Sequence, residues 1–198
     1  MKNILTLLIV CLISIPAFAQ EETLLEGEIE SGGFGGPVVK FGPVNGEFGL
    51  FVGGRGGWII NHSFILGGGG YGLVNNVKAK VPSIYGEEYL DFGYGGVEME
   101  YIPHSNKLIH ISFMTLIGAG GIGWKDKDNA VMLNNRQRES DAFFIVEPAV
   151  NVTLNITQYF RISGGASYRY ITGLESAAAK NADVSGPTAM LTFRFGKF

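Results

Sequence analysis

The chain has 198 residues, of which 30 are glycine, and its formal net charge is −3 at pH 7 with histidine neutral. Glycine at roughly twice its average usage, interleaved with aromatic and β-branched residues, favours strands over long helices. The acidic balance argues against nucleic acid as a partner, which would need a basic face. Its single cysteine, Cys11, excludes a disulfide within the chain.

The first 19 residues are typical of a secretory signal peptide. Lys2 supplies the positive charge, Ile4 to Ile15 form an apolar core, and Ala17-Phe18-Ala19 is a small-x-small cleavage site. The core is shorter than a spanning helix, which needs roughly 20 apolar residues, and Cys11 lies inside it rather than at a lipidation site. We expect cleavage near Ala19, leaving 14 basic against 18 acidic residues. Residues 20–32 are then an acidic lead with five glutamates between positions 21 and 30.

Eight segments from residue 33 onward have the composition and turn-bounded length of β-strands. They are Gly33 to Gly42, Glu47 to Ile60, Ser63 to Val74, Glu88 to Ile102, Lys107 to Trp124, Asp141 to Asn155, Gln158 to Ile171 and Thr188 to Phe198. No later stretch is long enough for a membrane helix, so a membrane location would require a closed barrel. Bacterial membrane barrels have even strand numbers and strands of roughly 9 to 11 residues or more.

The connections between these segments alternate between short and long. The short ones are Asn61-His62, Pro103 to Asn106 and Ile156-Thr157, and the long polar ones are Asn75 to Glu87, Lys125 to Ser140 and Thr172 to Pro187. Periplasmic turns and extracellular loops alternate in this way in outer-membrane barrels. The first hairpin departs from the alternation, since Pro43 to Gly46 is short, but its Asn45-Gly46 pair predicts a tight turn.

Alternation within the strands separates a lipid face from an interior face. In Asp141 to Asn155, the even-numbered residues are apolar, whereas Glu147, Asn151 and Thr153 share the other face. The next strand repeats the pattern, and places Tyr168 and Tyr170 at an outer aromatic belt. In two strands, polarity does not show which residues face the interior. Ser63 to Val74 contains four glycines in a row, and in Glu88 to Ile102 the aromatic residues Phe92 and Tyr94 cannot be assigned to a face together with Glu98 and Glu100. We expect a β-bulge in either strand.

A secreted soluble β-sandwich or lipocalin-like barrel is the alternative fold. Such a protein would turn its large apolar residues inward, whereas the inward candidates here mix glycine, serine and charged residues. The sequence therefore predicts an all-β protein, an eight-stranded antiparallel up-and-down transmembrane β-barrel spanning residues 33–198, porin-like in class, in the outer membrane of a Gram-negative bacterium. Outer-membrane lipid and the barrel-assembly machinery are its expected partners.

Three glycine-rich runs carry a resemblance to a known group. The runs Ser31-Gly32-Gly33-Phe34-Gly35-Gly36-Pro37, Gly53-Gly54-Arg55-Gly56-Gly57-Trp58 and Gly67 to Gly72 resemble a family of small, largely uncharacterised bacterial outer-membrane β-barrel proteins. The resemblance covers nearly all of the mature chain and implies a membrane class without a shared catalytic residue.

The final strand departs from the usual terminal pattern. Its apolar series, Ala189, Leu191, Phe193 and Phe195, is one residue out of phase with Phe198. Either Gly196 permits a kink or Phe198 lies beyond the last paired residue. Phe195 and Phe198 are both candidates for the aromatic assembly signal.

An eight-stranded barrel has an interior that side chains just fill, so a wide pore is not expected. The predicted inward polar set is Lys40, Arg55, Glu98, Glu100, His110, Glu147, Arg161, Arg169 and Arg194. Buried charges must be paired, so we expect a structural salt-bridge network. A narrow conduit or ligand cavity lined by the same groups is the alternative, because inward glycines leave volume unfilled.

A lipid-modifying enzyme is the hypothesis from another class. The pairs His62-Ser63 and His104-Ser105 lie in turns on the side opposite to the outer leaflet, and adjacent residues on one strand point to opposite faces. His110 is expected beside Glu98 or Glu100 as a structural contact. Three histidines without ligand spacing predict no metal site; no catalytic residue and no cofactor are predicted. We favour a non-enzymatic protein, structural or interacting through its extracellular loops with a partner that the sequence does not identify.

Overall fold

The computed structural model describes residues 30–81, 88–126 and 140–198. The predicted signal peptide and most of the acidic lead lie outside these described residues, as do parts of two predicted loops, so the cleavage site near Ala19 stays a prediction. Among the described residues, no helix has the length and apolar character to cross a membrane.

The described chain forms a closed barrel in which each strand pairs antiparallel with the next and the last pairs with the first. The strands are β1 (Ser31–Val44), β2 (Glu47–Ile60), β3 (Phe64–Leu73), β4 (Glu88–Tyr101), β5 (Ile109–Asp126), β6 (Asp141–Asn155), β7 (Phe160–Thr172) and β8 (Gly186–Lys197). A four-residue helix, α1 (Asn181–Val184), lies between β7 and β8. The predicted fold is confirmed, and both β1 and β8 begin two residues earlier than the sequence suggested.

The first residue of β1, the last residue of β8 and the three predicted short turns lie at one end of the barrel, here called the turn end. The opposite loop end carries the long connections and the Asn45-Gly46 hairpin. There the φ angles of 52° at Asn45 and 82° at Gly46 are those of a type I′ turn, whose twist matches paired strands. Asparagine and glycine tolerate these positive φ angles, so the tight first hairpin is confirmed.

The predicted faces of β6 and β7 are confirmed. Val150 and Val152 are about half exposed, whereas Glu147 and Asn151 are buried in the interior. Tyr168 and Tyr170 likewise point outward near the loop end of β7.

The expected bulge in β3 or β4 is wrong. Pairing runs without interruption from Phe64 opposite Tyr101 to Gly72 opposite Gly93, and β4 pairs with β5 in one register along its length. Phe92 and Tyr94 therefore share the inward face with Glu98 and Glu100, and all four are buried. Polarity failed to phase this strand because the interior itself changes character along its axis.

Three layers fill the interior. At the loop end, an apolar cluster gathers aromatic and aliphatic side chains from the seven strands β1 to β7, including Phe51, Phe92 and Phe143. Charged and hydroxyl side chains occupy the middle of the interior and the wall between the middle and the turn end. A second apolar cluster of Phe34, Ile59, Ile65 and Ile102 closes part of the turn end.

The inward glycines of β2 and β3 permit a close approach of the two backbones. Gly57 lies opposite Gly67, and a Cβ added to either would come within 2.9 and 2.6 Å of the other's Cα, respectively. These two positions therefore require glycine for packing rather than for conformational freedom.

Candidate functional site

A buried ion pair between Lys40 and Glu147 joins opposite walls of the barrel. Lys40 projects from β1 and Glu147 from β6, their Nζ and Oε2 atoms are 2.8 Å apart, and both side chains are fully buried. The hydroxyl groups of Tyr94 and Ser167 donate to the same carboxylate at 3.0 and 2.6 Å. The Lys40 ammonium also lies 3.6 Å from the ring centroid of Tyr71. Pairing and hydrogen bonding together offset the cost of removing these charges from water.

A second cluster lies nearer the turn end and contains two carboxylates between two guanidinium groups. Arg55 donates to Glu98 at 2.6 Å and to Glu100 at 2.9 Å, and Arg194 donates to Glu100 at 2.8 Å. Hydroxyl donors complete it, with Tyr71 bonding Glu98 and Ser112 bonding Glu100, both at 2.5 Å. The six predicted interior residues in these two clusters are thus held in direct charge-assisted hydrogen bonds.

Arg169 lies inside the barrel, and its contacts are not with a carboxylate. Its Nε donates to the carbonyl oxygen of Val184 at 2.7 Å and one Nη donates to that of Pro43 at 2.9 Å. The guanidinium also lies 4.8 Å from the ring centroid of Phe51. Carbonyl dipoles and an aromatic face replace the expected counter-ion, because this part of the interior is the apolar loop-end layer.

The remaining two predicted residues, Arg161 and His110, form no ion pair within the described chain. The guanidinium of Arg161 lies 4.0 Å from the ring centroid of Phe198. His110 contacts the carbonyl of Lys107 through Nδ1 at 3.2 Å. The expected proximity of His110 to Glu98 or Glu100 yields no hydrogen bond there, because β4 ends opposite Phe113, three residues before His110 is reached.

The predicted polar set lacks four hydroxyl donors that bond the interior carboxylates: Tyr71, Tyr94, Ser112 and Ser167. Each has the parity of an inward residue on its strand, so correct phasing of β3 and β4 would have found both tyrosines. Their individual partners depend on interstrand register and on positions across the barrel, which no local pattern contains.

Two connections fold over the loop end and form what we call the loop cap, residues 74–81 and 173–185. The side chain of Asn45 connects these two segments, since its Nδ2 donates to the carbonyl oxygens of Lys78 and Ala178 at 3.0 and 3.2 Å. The amide of Lys80 donates to Ala178 at 2.9 Å, and that of Asn45 to Asp183 at 2.8 Å. The β1–β2 turn thus ties the two connections together.

Apolar side chains of the loop cap continue the apolar cluster below. Val77, Leu174, Ala178, Ala179 and Val184 are buried against it. An ion pair between Lys80 and Asp183, 2.5 Å long, fastens the exposed surface of the cap. That hydrogen bond from Lys80 holds the pKa of Asp183 below its ordinary value of 3.8, helped by the backbone amide of Lys180.

The outward surface between the two ends is apolar around the barrel. Trp58, Val97, Ile111, Phe113 and Val150 are each about half exposed. Tyrosines stand near its edges, with Tyr101 and Tyr159 at the turn end and Tyr168 and Tyr170 at the loop end. An apolar belt edged by aromatic residues is the surface that a bilayer covers.

No group of three potential metal ligands occurs in the ranges 30–81, 88–126 and 140–198. His62 lies in the β2–β3 turn, where its Nε2 contacts Glu30 at 2.5 Å, and the exposed His104 lies in the β4–β5 turn. Neither forms a hydrogen bond with its neighbouring serine in the structure, so no nucleophile and base are paired there.

Comparison with solved structures shows the same fold in small outer-membrane β-barrels. Neisserial surface protein A aligns with a TM-score of 0.59 at 11% identity, over 87% of this chain and 100% of the other. The N-terminal β-barrel domain of Pseudomonas aeruginosa OprF aligns with a TM-score of 0.52 at 11% identity, over 84% and 96% of the two chains. No protein-family model and no curated protein matches the sequence. The chain has the fold of an eight-stranded outer-membrane β-barrel.

Proposed function

We propose that this protein is a non-conducting, non-enzymatic β-barrel of the Gram-negative outer membrane that acts through its loop end. The apolar belt supports membrane insertion, because exposing it to water would be costly, at roughly 25 cal/mol per Å². Both termini of the barrel lie at the turn end, which we assign to the periplasm, so the loop cap faces outward.

One observation carries the non-conducting proposal: paired charges span the interior below a loop cap that is packed onto apolar side chains. Lys40, Glu147 and Arg194 are almost completely buried, and an ion path would have to break their contacts. Barrels of eight strands enclose just enough space for such side chains. The interior is therefore proposed as a structural plug, and the loop end as the part that contacts partners.

The membrane location has a direct test. Cells expressing the full chain should yield the mature protein in the outer-membrane fraction, and the folded barrel should migrate differently in detergent gels before and after heating. Recovery in the soluble periplasm would overturn the location. Dependence of that recovery on the barrel-assembly machinery would test the proposed assembly partner.

Conductance in planar bilayers tests the plug. We expect no discrete openings from the purified protein. A matched pair of variants sharpens the test, because Glu147→Gln loosens an interior contact whereas Lys197→Gln removes an exposed charge. Openings in the unmodified protein that Glu147→Gln alters and Lys197→Gln does not would establish the conduit instead. The enzyme alternative would require lipid A changes on expression that disappear in His110→Ala.

A further inference from the structure

The turn between β1 and β2 contains the single Asn-Gly pair of the chain, Asn45-Gly46. Because Gly46 has no Cβ, its backbone nitrogen can approach the side-chain amide carbon of Asn45 with little steric hindrance. An attack by that nitrogen is the first step of asparagine deamidation. Gly46 is exposed at the loop end, so the pair combines the chemistry of this reaction with access to water.

The closed loop cap holds the amide nitrogen of Asn45 in a state that resists the reaction. Its Nδ2 donates to the carbonyl oxygens of Lys78 and Ala178 at 3.0 and 3.2 Å, so both hydrogens of the amide are used. This nitrogen must gain a proton before it leaves as ammonia, and carbonyl oxygens have none to give. The leaving group is therefore retained while these contacts last.

The oxygen atom of the same amide lacks a hydrogen-bond donor. Oδ1 of Asn45 is buried and has no partner in the described part of the chain. Attack on the amide carbon places negative charge on this oxygen in the tetrahedral intermediate, and that charge is stabilised only by donors or by water. Burial of Oδ1 therefore raises the barrier to deamidation, whereas local opening of the cap admits water to it.

We propose that Asn45 is a deamidation site that the loop cap protects while closed, and whose modification leaves the cap open. The Gly46 nitrogen loses its proton and bonds to the amide carbon of Asn45, and the bond from that carbon to Nδ2 breaks with release of ammonia. Water then opens the resulting cyclic imide and leaves aspartate or isoaspartate in place of Asn45. Only water enters and only ammonia leaves, so no oxidant or reductant is required.

Both products lose the contacts through which Asn45 connects the two segments of the cap. A carboxylate has no hydrogen to donate, so it repels the carbonyl oxygens of Lys78 and Ala178. Isoaspartate also adds one carbon atom to the backbone, which a two-residue type I′ turn does not accommodate, and this displaces the Asn45 amide that donates to Asp183 at 2.8 Å. Opening accelerates the reaction and the product maintains the opening, so the change proceeds in one direction.

Mass spectrometry of the full mature chain, refolded in detergent and aged in mildly alkaline buffer, measures the reaction at Asn45. We expect deamidation to be roughly 10- to 100-fold slower in the folded barrel than in heat-unfolded protein, the factor that two neutral hydrogen bonds supply. Gly46→Asn is the matched control, since asparagine tolerates a positive φ angle while its side chain hinders the attacking nitrogen. This variant should deamidate slowly at Asn45 in both states.

A second variant separates protection by the cap from protection by the turn. Val77→Ala reduces the buried apolar packing of the cap without changing the Asn45 contacts, so it should raise the deamidation rate in the folded protein. If this variant fails to fold, Asp183→Asn, which breaks the exposed ion pair with Lys80, takes its place. Equal rates in folded and heat-unfolded unmodified protein, or an unchanged rate in the cap variant, would overturn protection by the cap.

Trypsin cleavage after Lys78 and Lys80 shows whether the product leaves the cap open. Aged, deamidated protein should be cut faster than fresh protein, and Asn45→Asp should be cut faster without ageing. Gly46→Asn aged in the same buffer should keep the cleavage rate of its fresh sample. Unchanged cleavage of the deamidated protein, or no deamidation at Asn45 even after heat unfolding, would overturn the proposal.

Discussion

The ring of Phe198 packs inside the barrel against Phe34, with their centroids 6.1 Å apart. Phe195 instead points outward, and its ring stacks on Phe160 at 4.8 Å. Because β8 ends at Lys197, Phe198 lies beyond the last paired residue, and this resolves the phase difference seen in the sequence. The outward aromatic nearest the chain end is therefore Phe195.

We predict that Phe195, and not Phe198, provides the lipid-facing aromatic needed for membrane assembly. Phe195→Ala should lower the amount of heat-modifiable protein in the outer membrane. Phe198→Ala should assemble normally but lose about 1 kcal/mol of stability through its contacts with Phe34 and Arg161. Quantitative fractionation and urea unfolding measure the two effects. Normal assembly of Phe195→Ala beside failure of Phe198→Ala would reverse the assignment.

Glu100 is predicted to be the most sensitive interior carboxylate. It bonds both Arg55 and Arg194, so Glu100→Gln leaves two buried guanidinium groups with reduced compensation. Loss of one partner from a buried ion pair costs about 3–5 kcal/mol. Urea unfolding of the refolded barrel measures this, with the exposed-pair variant Asp183→Asn as the control. Similar small losses of stability in both variants would show that the interior ion pairs are not desolvated enough for the loss of one partner to be costly.

Lys40 and Glu147 should behave as a unit. Glu147→Gln alone should destabilise the barrel, since the Lys40 ammonium remains buried without its counter-ion. The double change Lys40→Met with Glu147→Leu should recover most of that loss, because apolar replacement of a buried pair is often neutral or stabilising. A double-mutant cycle in urea gives the coupling free energy. Simple additivity of the single changes would contradict direct coupling.

The side chain of Asn45 is predicted to hold the loop cap closed without determining the turn itself. Asn45→Gly keeps a residue suited to the positive φ angle but removes the two bonds to Lys78 and Ala178. Trypsin should cut at Lys78 or Lys80 faster in this variant, while the urea midpoint of the barrel changes little. Unchanged cleavage relative to the unmodified protein would assign cap closure to the buried Val77 and its apolar neighbours instead.

Acid should loosen the same cap. The pKa of Asp183 is lower in the folded protein than its ordinary 3.8, so its contact with Lys80 stabilises the fold above that pH. This contribution decreases as the pH falls through the folded-state pKa. Trypsin is inactive in acid, so pepsin cleavage between pH 2 and 4 is the suitable measurement. Asp183→Asn should remove the pH dependence of cap opening in that window.

Strand positions and most faces followed from the sequence because period-two alternation is local, as Glu147 and Asn151 illustrate. The inward aromatics Phe92 and Tyr94 broke the polarity rule, since the loop-end layer is apolar while the lower interior is charged. Alternation predicts that Arg169 points inward, yet its carbonyl partners come from Pro43 and Val184. Those contacts depend on how two distant connections fold, which no spacing in the chain reveals.

The ion pairs of the interior link strands that are far apart in sequence. Lys40 and Glu147 are separated by 107 residues, and Glu100 and Arg194 by 94. In an open sheet without the β1–β8 pairing that closes the barrel, called the seam, these charges would face hydrocarbon or water and not each other. Closure of the seam and neutralisation of the charges are therefore expected to occur in one cooperative step, so partly closed intermediates should be scarce. The large sequence separation of these contacts raises the contact order of the barrel, and a high contact order predicts slow folding.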